Sequence, residues 1–181
     1  MLYIGREEAV RTYAEGDPEI DTSHVFQGDI FHSVQLMAPR PGGVPDWPLT
    51  AAVVLSHHCE WTKAKKKMAQ DEDWPILLAP AHELSDFGTS DKGTIRKGAF
   101  RYYLYLPAVG TIDRELVVDF RLSQPFSALD LARADYWTSV SAEVNRWIRA
   151  KQIEYLYRDF TAATCSSISS SWQTRPLLTN P

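Results

Sequence analysis

Apolar residues fall in short runs up to about residue 126 and recur at helical spacing after it. Leu49-Thr50-Ala51-Ala52-Val53-Val54-Leu55 is the oiliest run and predicts a strand buried on both faces. Its end presents Ser56, His57, His58, Cys59 and Glu60 together, so a core strand delivers reactive or ligating side chains to its rim. Gln27-Gly28-Asp29-Ile30-Phe31 predicts a turn entering a strand, continued by Val34, Leu36 and Met37. Trp74 to Pro80 is a second apolar strand, closed by proline. Phe100 to Pro107 and Glu115 to Phe120 supply two more, and Ser123 to Phe126 a short edge.

Helices frame these strands. Arg6 to Glu15 carries Ala9, Val10, Tyr13 and Ala14 at helical spacing and stops at Gly16-Asp17-Pro18. Ser127, with Asp130 three residues on, caps a short helix. From about Ser139 to Phe160, Val140, Val144, Trp147, Ile148, Tyr155 and Leu156 mark one face of a long amphipathic helix. Ala38 to Pro48, with four prolines and two glycines, is loop, as is polar Ala81 to Gly98 apart from a helical turn at its start. The fold class is therefore mainly β with α: a small, strongly bent sheet or barrel capped by the long helix. Residues 1–24 form an N-terminal extension, helical in part. Residues 25–162 are the barrel domain with its C-terminal helices, and residues 163–181 a flexible tail.

Composition narrows this little. With 181 residues, 44% hydrophobic, six Trp and eight Tyr, the chain suffices for one cored domain. A net charge of -4 gives no general pull toward nucleic acid or anionic membrane, so any such binding requires a local patch. Cys59 and Cys165 form no C-x-x-C pair, which speaks for a reduced, cytoplasmic protein. No leader pattern opens the chain, and no run is long enough to span a membrane.

Candidate chemistry centres on His57 and Cys59. On a strand these two share a face, while His58 and Glu60 share the other. His57 is thus the better base for a Cys59 thiolate. His82, following the neighbouring strand, is the third candidate, and His57, Cys59 and His82 would together offer a zinc set. Glu60, Asp29 and His32 are further options. The bland alternatives are a strand-end cysteine, a surface histidine and a turn-fixing aspartate. Lys63, Lys65, Lys66 and Lys67, answered by Asp71-Glu72-Asp73, read either as a solvated hairpin or helical turn or as a phosphate-facing patch. Trp47, Trp61 and Trp74 are core, or a platform for stacking bases.

The order of Gly28-Asp29-Ile30, Val53-Val54-Leu55-Ser56, Leu77-Leu78-Ala79-Pro80 and Val117-Val118-Asp119 resembles the PemK/MazF toxin family. That resemblance implies an SH3-like β-barrel with helices, usually a homodimer, in a family whose members cut single-stranded RNA until a protein antitoxin blocks the site. The departures bear on chemistry. The arginine those toxins place before the second strand is missing at Pro48-Leu49-Thr50, and the nearest Arg-Pro pair is Arg40-Pro41. Their threonine after the third strand is replaced by Ala81-His82. Cleavage needs a cation for the charged transition state and a group for the 2′-hydroxyl proton. Ser56-His57-His58-Cys59-Glu60 is in turn similar to a Ser-His/Gln-x-Cys-Asp motif in bacterial and phage proteins that carry no assigned activity. The expectation is a toxin-like barrel without the ribonuclease residues and without a cofactor, binding nucleic acid or a protein partner through Arg40, the four lysines and Trp61. The alternative is an enzyme or zinc protein built on His57, Cys59 and His82.

Overall fold

A computed structural model describes residues 1–14, 17, 20–39, 45–46 and 48–155. Arg40, Trp47, Cys165, the expected tail and the last turn of the expected long helix lie outside that set. In chain order the elements are β1 (Tyr3–Ile4), α1 (Arg6–Tyr13), β2 (Asp29–Gln35), β3 (Ala38–Pro39), β4 (Pro45–Asp46) and β5 (Leu49–Val54). They continue as α2 (His58–Met68), β6 (Pro75–Glu83), α3 (Thr89–Arg96), β7 (Tyr103–Leu106), β8 (Leu116–Asp119), β9 (Gln124–Ser127), α4 (Ala128–Leu131) and β10 (Tyr136–Val140). A final helix, α5, covers residues 142–155.

Eight strands make one antiparallel sheet in the order β1-β10-β2-β5-β6-β8-β7, with β9 also on β6. β5 lies in the middle, which is why its run is apolar without alternation. Ile30, Val53 and Ala79 face a cluster completed by Val144 and Ile148 of α5. Phe31, Ala52, Val54 and Leu78 face a second cluster completed by Trp61 and Ala64 of α2 and Leu131 of α4. Each large side chain buried in these layers contributes about 1.5–3 kcal/mol.

The sheet is curled but open. β1 and β7 are its two edges. Tyr3 donates its hydroxyl hydrogen to the Pro107 carbonyl at 2.8 Å, and Tyr3, Leu104 and Leu106 share one cluster, so side chains draw the edges together without a hydrogen-bonded ladder. A closed barrel, the sequence expectation, is not what forms. The N-terminal residues take part in the same sheet. Tyr3 and Ile4 pair with Val140 and Ser139, and Arg6 forms an ion pair with fully buried Asp29. Ser139 and the Phe26 N–H also donate to that carboxylate, so the charge is fully partnered.

Pro80 does not end its strand. Leu55 N–H donates to the Leu77 carbonyl, so odd-numbered residues of β6 turn their N–H toward β5 and even-numbered ones turn away. On that far side β9 stops at Leu78 and β8 starts at Ala81. Proline, lacking an N–H, occupies the gap where no donor is needed.

Three further elements depart from the sequence pattern. The lysine run belongs to α2, whose buried positions are only Trp61 and Ala64. α3 sits in the stretch expected as loop and buries Ile95 alone, too thin a signal to mark a helix. Ser139 and Val140 are strand, because β1 and β2 flank them, and the helix starts at residue 142.

Candidate functional site

β5 ends at Val54, and the next residues turn the chain into α2. Ser56 accepts the Leu77 N–H on its Oγ at 2.8 Å, which fixes the turn. His57 is the N-cap of α2: its Nδ1 accepts the Cys59 N–H at 3.4 Å and lies 3.3 Å from the Cys59 sulfur. Base and thiol therefore meet through a helix cap, not through the strand alternation expected. Cys59 is exposed. Glu60 accepts from Lys63 at 2.7 Å and from the Trp74 indole at 3.2 Å, and Lys63 with Trp74 holds its carboxyl below the ordinary range. The His58 ring lies against that of His57, tilted by 41° with centroids 3.9 Å apart, and the His58 carbonyl is 3.3 Å from the Nε2 of buried His24.

Of the other expected contacts, Trp61 is core, only 3% exposed, and is no surface platform. Lys63 pairs with Glu60 at 2.7 Å, Lys65 lies 3.7 Å from Asp21 and Lys67 pairs with Glu72 at 2.6 Å. Lys66 is exposed and, among the described residues, has no carboxylate at ion-pair distance. The lysine run is thus a helix face largely answered by the chain's own acids.

His82 is not part of this cluster. β5 and β6 are antiparallel, with Val54 opposite Leu78 and Ala51 opposite Ala81, so the end of β5 meets the start of β6. Ser56, next to His57, is held at Leu77, and His82 lies further along β6 by about five residues, roughly 17 Å. Among the described residues no three His, Cys, Asp or Glu side chains gather as a metal set, and the expected His57/Cys59/His82 centre does not assemble.

His82 instead lines a cavity of about 470 Å³ at the opposite end of the same strand pair. Its walls include His32, Thr50, Glu83, Arg114 and Trp137. Two irregularities meet there. The β2–β5 register shifts by one between Phe31 and Val34, and the β10–β2 register shifts between Tyr136 and Thr138. Bulges re-aim side chains, and adjacent ones here bring the rings of His32 and Trp137 into a stack with centroids 3.9 Å apart. Ser33, at the β2 bulge, has φ +49, a left-handed conformation that a side chain resists.

The ring pair is held from outside. Trp137 donates its indole N–H to the Thr111 carbonyl at 3.0 Å, and the Arg114 guanidinium lies over the indole at 5.7 Å. Arg114 is itself oriented by Glu83 at 2.7 Å and Asp113 at 3.0 Å. Burial pushes the His82 imidazole below its ordinary pKa against the pull of Asp119 and Asp86, which leaves it neutral at pH 7. Among the described residues neither His32 nor His82 shares a hydrogen bond with a hydroxyl or thiol. The cleft offers a π-surface, one oriented cation, a neutral imidazole and carboxylate acceptors. Sequence reasoning did not find His32, Trp137 or Arg114 as a group. The one trace is in β2, where buried Ile30 and Phe31 are followed by polar His32 and Ser33, breaking the period of two.

No protein-family model matches the chain, and no curated protein matches it. Among the described residues no helix is long and apolar enough to cross a membrane.

Proposed function

We propose that this chain is a binding module for single-stranded nucleic acid, with an unpaired base taken into the cleft against His32 and Trp137. The observation that carries the reading is the stacked ring pair, set at coincident bulges beside an oriented guanidinium in a polar cavity. Aromatic rings take any base by its π-face, and guanidinium groups add a cation–π or phosphate contact. The PemK/MazF resemblance agrees in place. The two positions where those toxins carry arginine and threonine correspond here to Pro48-Leu49-Thr50 and Ala81-His82, which lie at the same end of the β5–β6 pair, where Thr50 donates to the Ala81 carbonyl at 3.2 Å, and line this cavity. With those residues replaced, the reading is binding without the toxins' cleavage. The curled sheet is then an opened variant of the small SH3-like barrel, its edges joined by Tyr3 and Pro107.

Charge refines the reading. Lys63 and Lys67 already pair with carboxylates, Lys65 lies near Asp21, and the cleft contains Glu83 and Asp86. Affinity then comes mainly from stacking, with about one or two phosphate contacts and a shallow salt slope of roughly -0.7 per phosphate. Fluorescence anisotropy with short labelled oligoribonucleotides, single-stranded and duplex, tests this. Single strands are expected to bind and duplexes not, with Trp137→Ala weakening binding about tenfold, the scale of one lost base stack. Equal binding of duplex and single strand, no binding, or affinity indifferent to Trp137→Ala would overturn the reading, as would cleavage of the oligonucleotide that Arg40→Ala abolishes.

A further inference from the structure

A second cavity, of about 520 Å³, opens between α2, α4 and the β2–β10 side of the sheet. Phe31, Trp61, Met68, Leu131 and Tyr136 form its apolar wall, and Arg6 and Lys65 are the two charged side chains that line it. The cations converge on one short segment. Arg6 donates through Nη1 to the His24 carbonyl at 2.7 Å, and Lys65 donates to the neighbouring Ser23 hydroxyl at 3.4 Å.

Both cations have capacity to spare. The contacts of Arg6 with Asp29 and His24 all use Nη1, while the guanidinium lies over the Tyr136 ring at 3.6 Å. A guanidinium has further N–H donors on its other two nitrogens. Lys65 meets its nearest carboxylate, Asp21, at 3.7 Å, beyond hydrogen-bonding distance, and Asp21 is largely exposed. Trp61 adds a buried indole N–H with no acceptor among the described residues.

We infer that this cavity binds a small amphipathic anion, an apolar carboxylate whose hydrocarbon part lies against Trp61 and Leu131 and whose charged end meets Arg6 and Lys65. Apolar walls with a few convergent polar groups are the usual make-up of a small-molecule site, and the charge at the Ser23–His24 rim selects an anion. This site is separate from the cleft at His32 and Trp137 and does not depend on the reading given to it.

Decanoate, decanol and decylamine titrated against intact protein, followed by calorimetry and tryptophan fluorescence, test the inference. Decanoate is expected to bind saturably, one per chain, with decanol weaker and decylamine absent. Lys65→Met should weaken decanoate about tenfold, in line with loss of a charge-assisted hydrogen bond, and leave decanol unchanged. Ala132→Trp, an exposed position on the cavity wall, should block decanoate and decanol alike while thermal unfolding stays at the wild-type midpoint. Equal binding of the three compounds, no decanoate binding, or decanoate affinity untouched by either variant would overturn it.

Discussion

The imidazole of His32 lies over the indole of Trp137 at 3.9 Å and 23°, although the two rings come from different strands, each bulged at that point. The stack exists because one extra residue on each strand turns a side chain that regular pleating would send elsewhere. Its cost is local: Ser33 carries the left-handed φ that lets the β2 bulge form.

Ser33 is therefore the position where geometry and binding are expected to move together. Ser33→Gly removes the steric objection and should leave stability near wild type. Ser33→Val places a β-branched residue at positive φ and should cost about 1–2 kcal/mol. Urea unfolding measures the first effect, and oligonucleotide anisotropy should show Ser33→Val weakened and Ser33→Gly retained. A valine variant equal to wild type in both would remove the link between bulge and cleft.

Gly28 is a second backbone constraint, at the entry to β2. Its φ is +88, its N–H donates to Val54, its carbonyl accepts from Val140, and an added Cβ would overlap the Val140 side chain. Gly28→Ala then combines strain with overpacking and is expected to cost about 3 kcal/mol. Denaturant midpoints at constant slope would measure it, and a loss below about 0.5 kcal/mol, the range of surface changes, would refute it.

Acidification should destabilise the fold through two histidines. Burial holds both His24 and His82 below the ordinary value of 6.5. As pH falls through 6.5 the unfolded chain takes up these protons before the folded one. The stability present above that pH is then lost progressively until the folded pKa values are reached. Unfolding free energy measured from pH 8 to pH 5 is expected to decline below 6.5, with a smaller decline in His82→Gln. A pH profile of His82→Gln that superimposes on wild type would sink the His82 part of this account.

Cys59 tests the separation of the two ends of the β5–β6 pair. The thiol is exposed at the start of α2, and the cleft lies at the far end of the paired strands. Iodoacetamide should modify Cys59 in the folded protein, with Cys59→Ser as the reference for that site. Oligonucleotide affinity should be unchanged after labelling. A labelled protein that loses Trp137-dependent binding would mean that the His57 end and the cleft communicate.

The hydrophobic pattern by itself determined which stretches are buried and on how many faces. β5 is apolar on both faces because helices cover both, α1 and α4 follow their spacing and caps, and Gly28-Asp29 opens β2 as its residues dictate. The pairing of His57 with Cys59 was also within reach, since two residues so near in sequence meet in either a strand or a capped helix. Tertiary structure alone decided the rest. Burial is non-directional: it specifies a face but neither the neighbouring strand nor its direction. Antiparallel pairing of β5 with β6 sends His82 away from His57, and the split far edge of β6 lets Pro80 remain in the strand. The His32–Trp137 stack depends on two register shifts between strands far apart in sequence, and no local periodicity encodes such a coincidence.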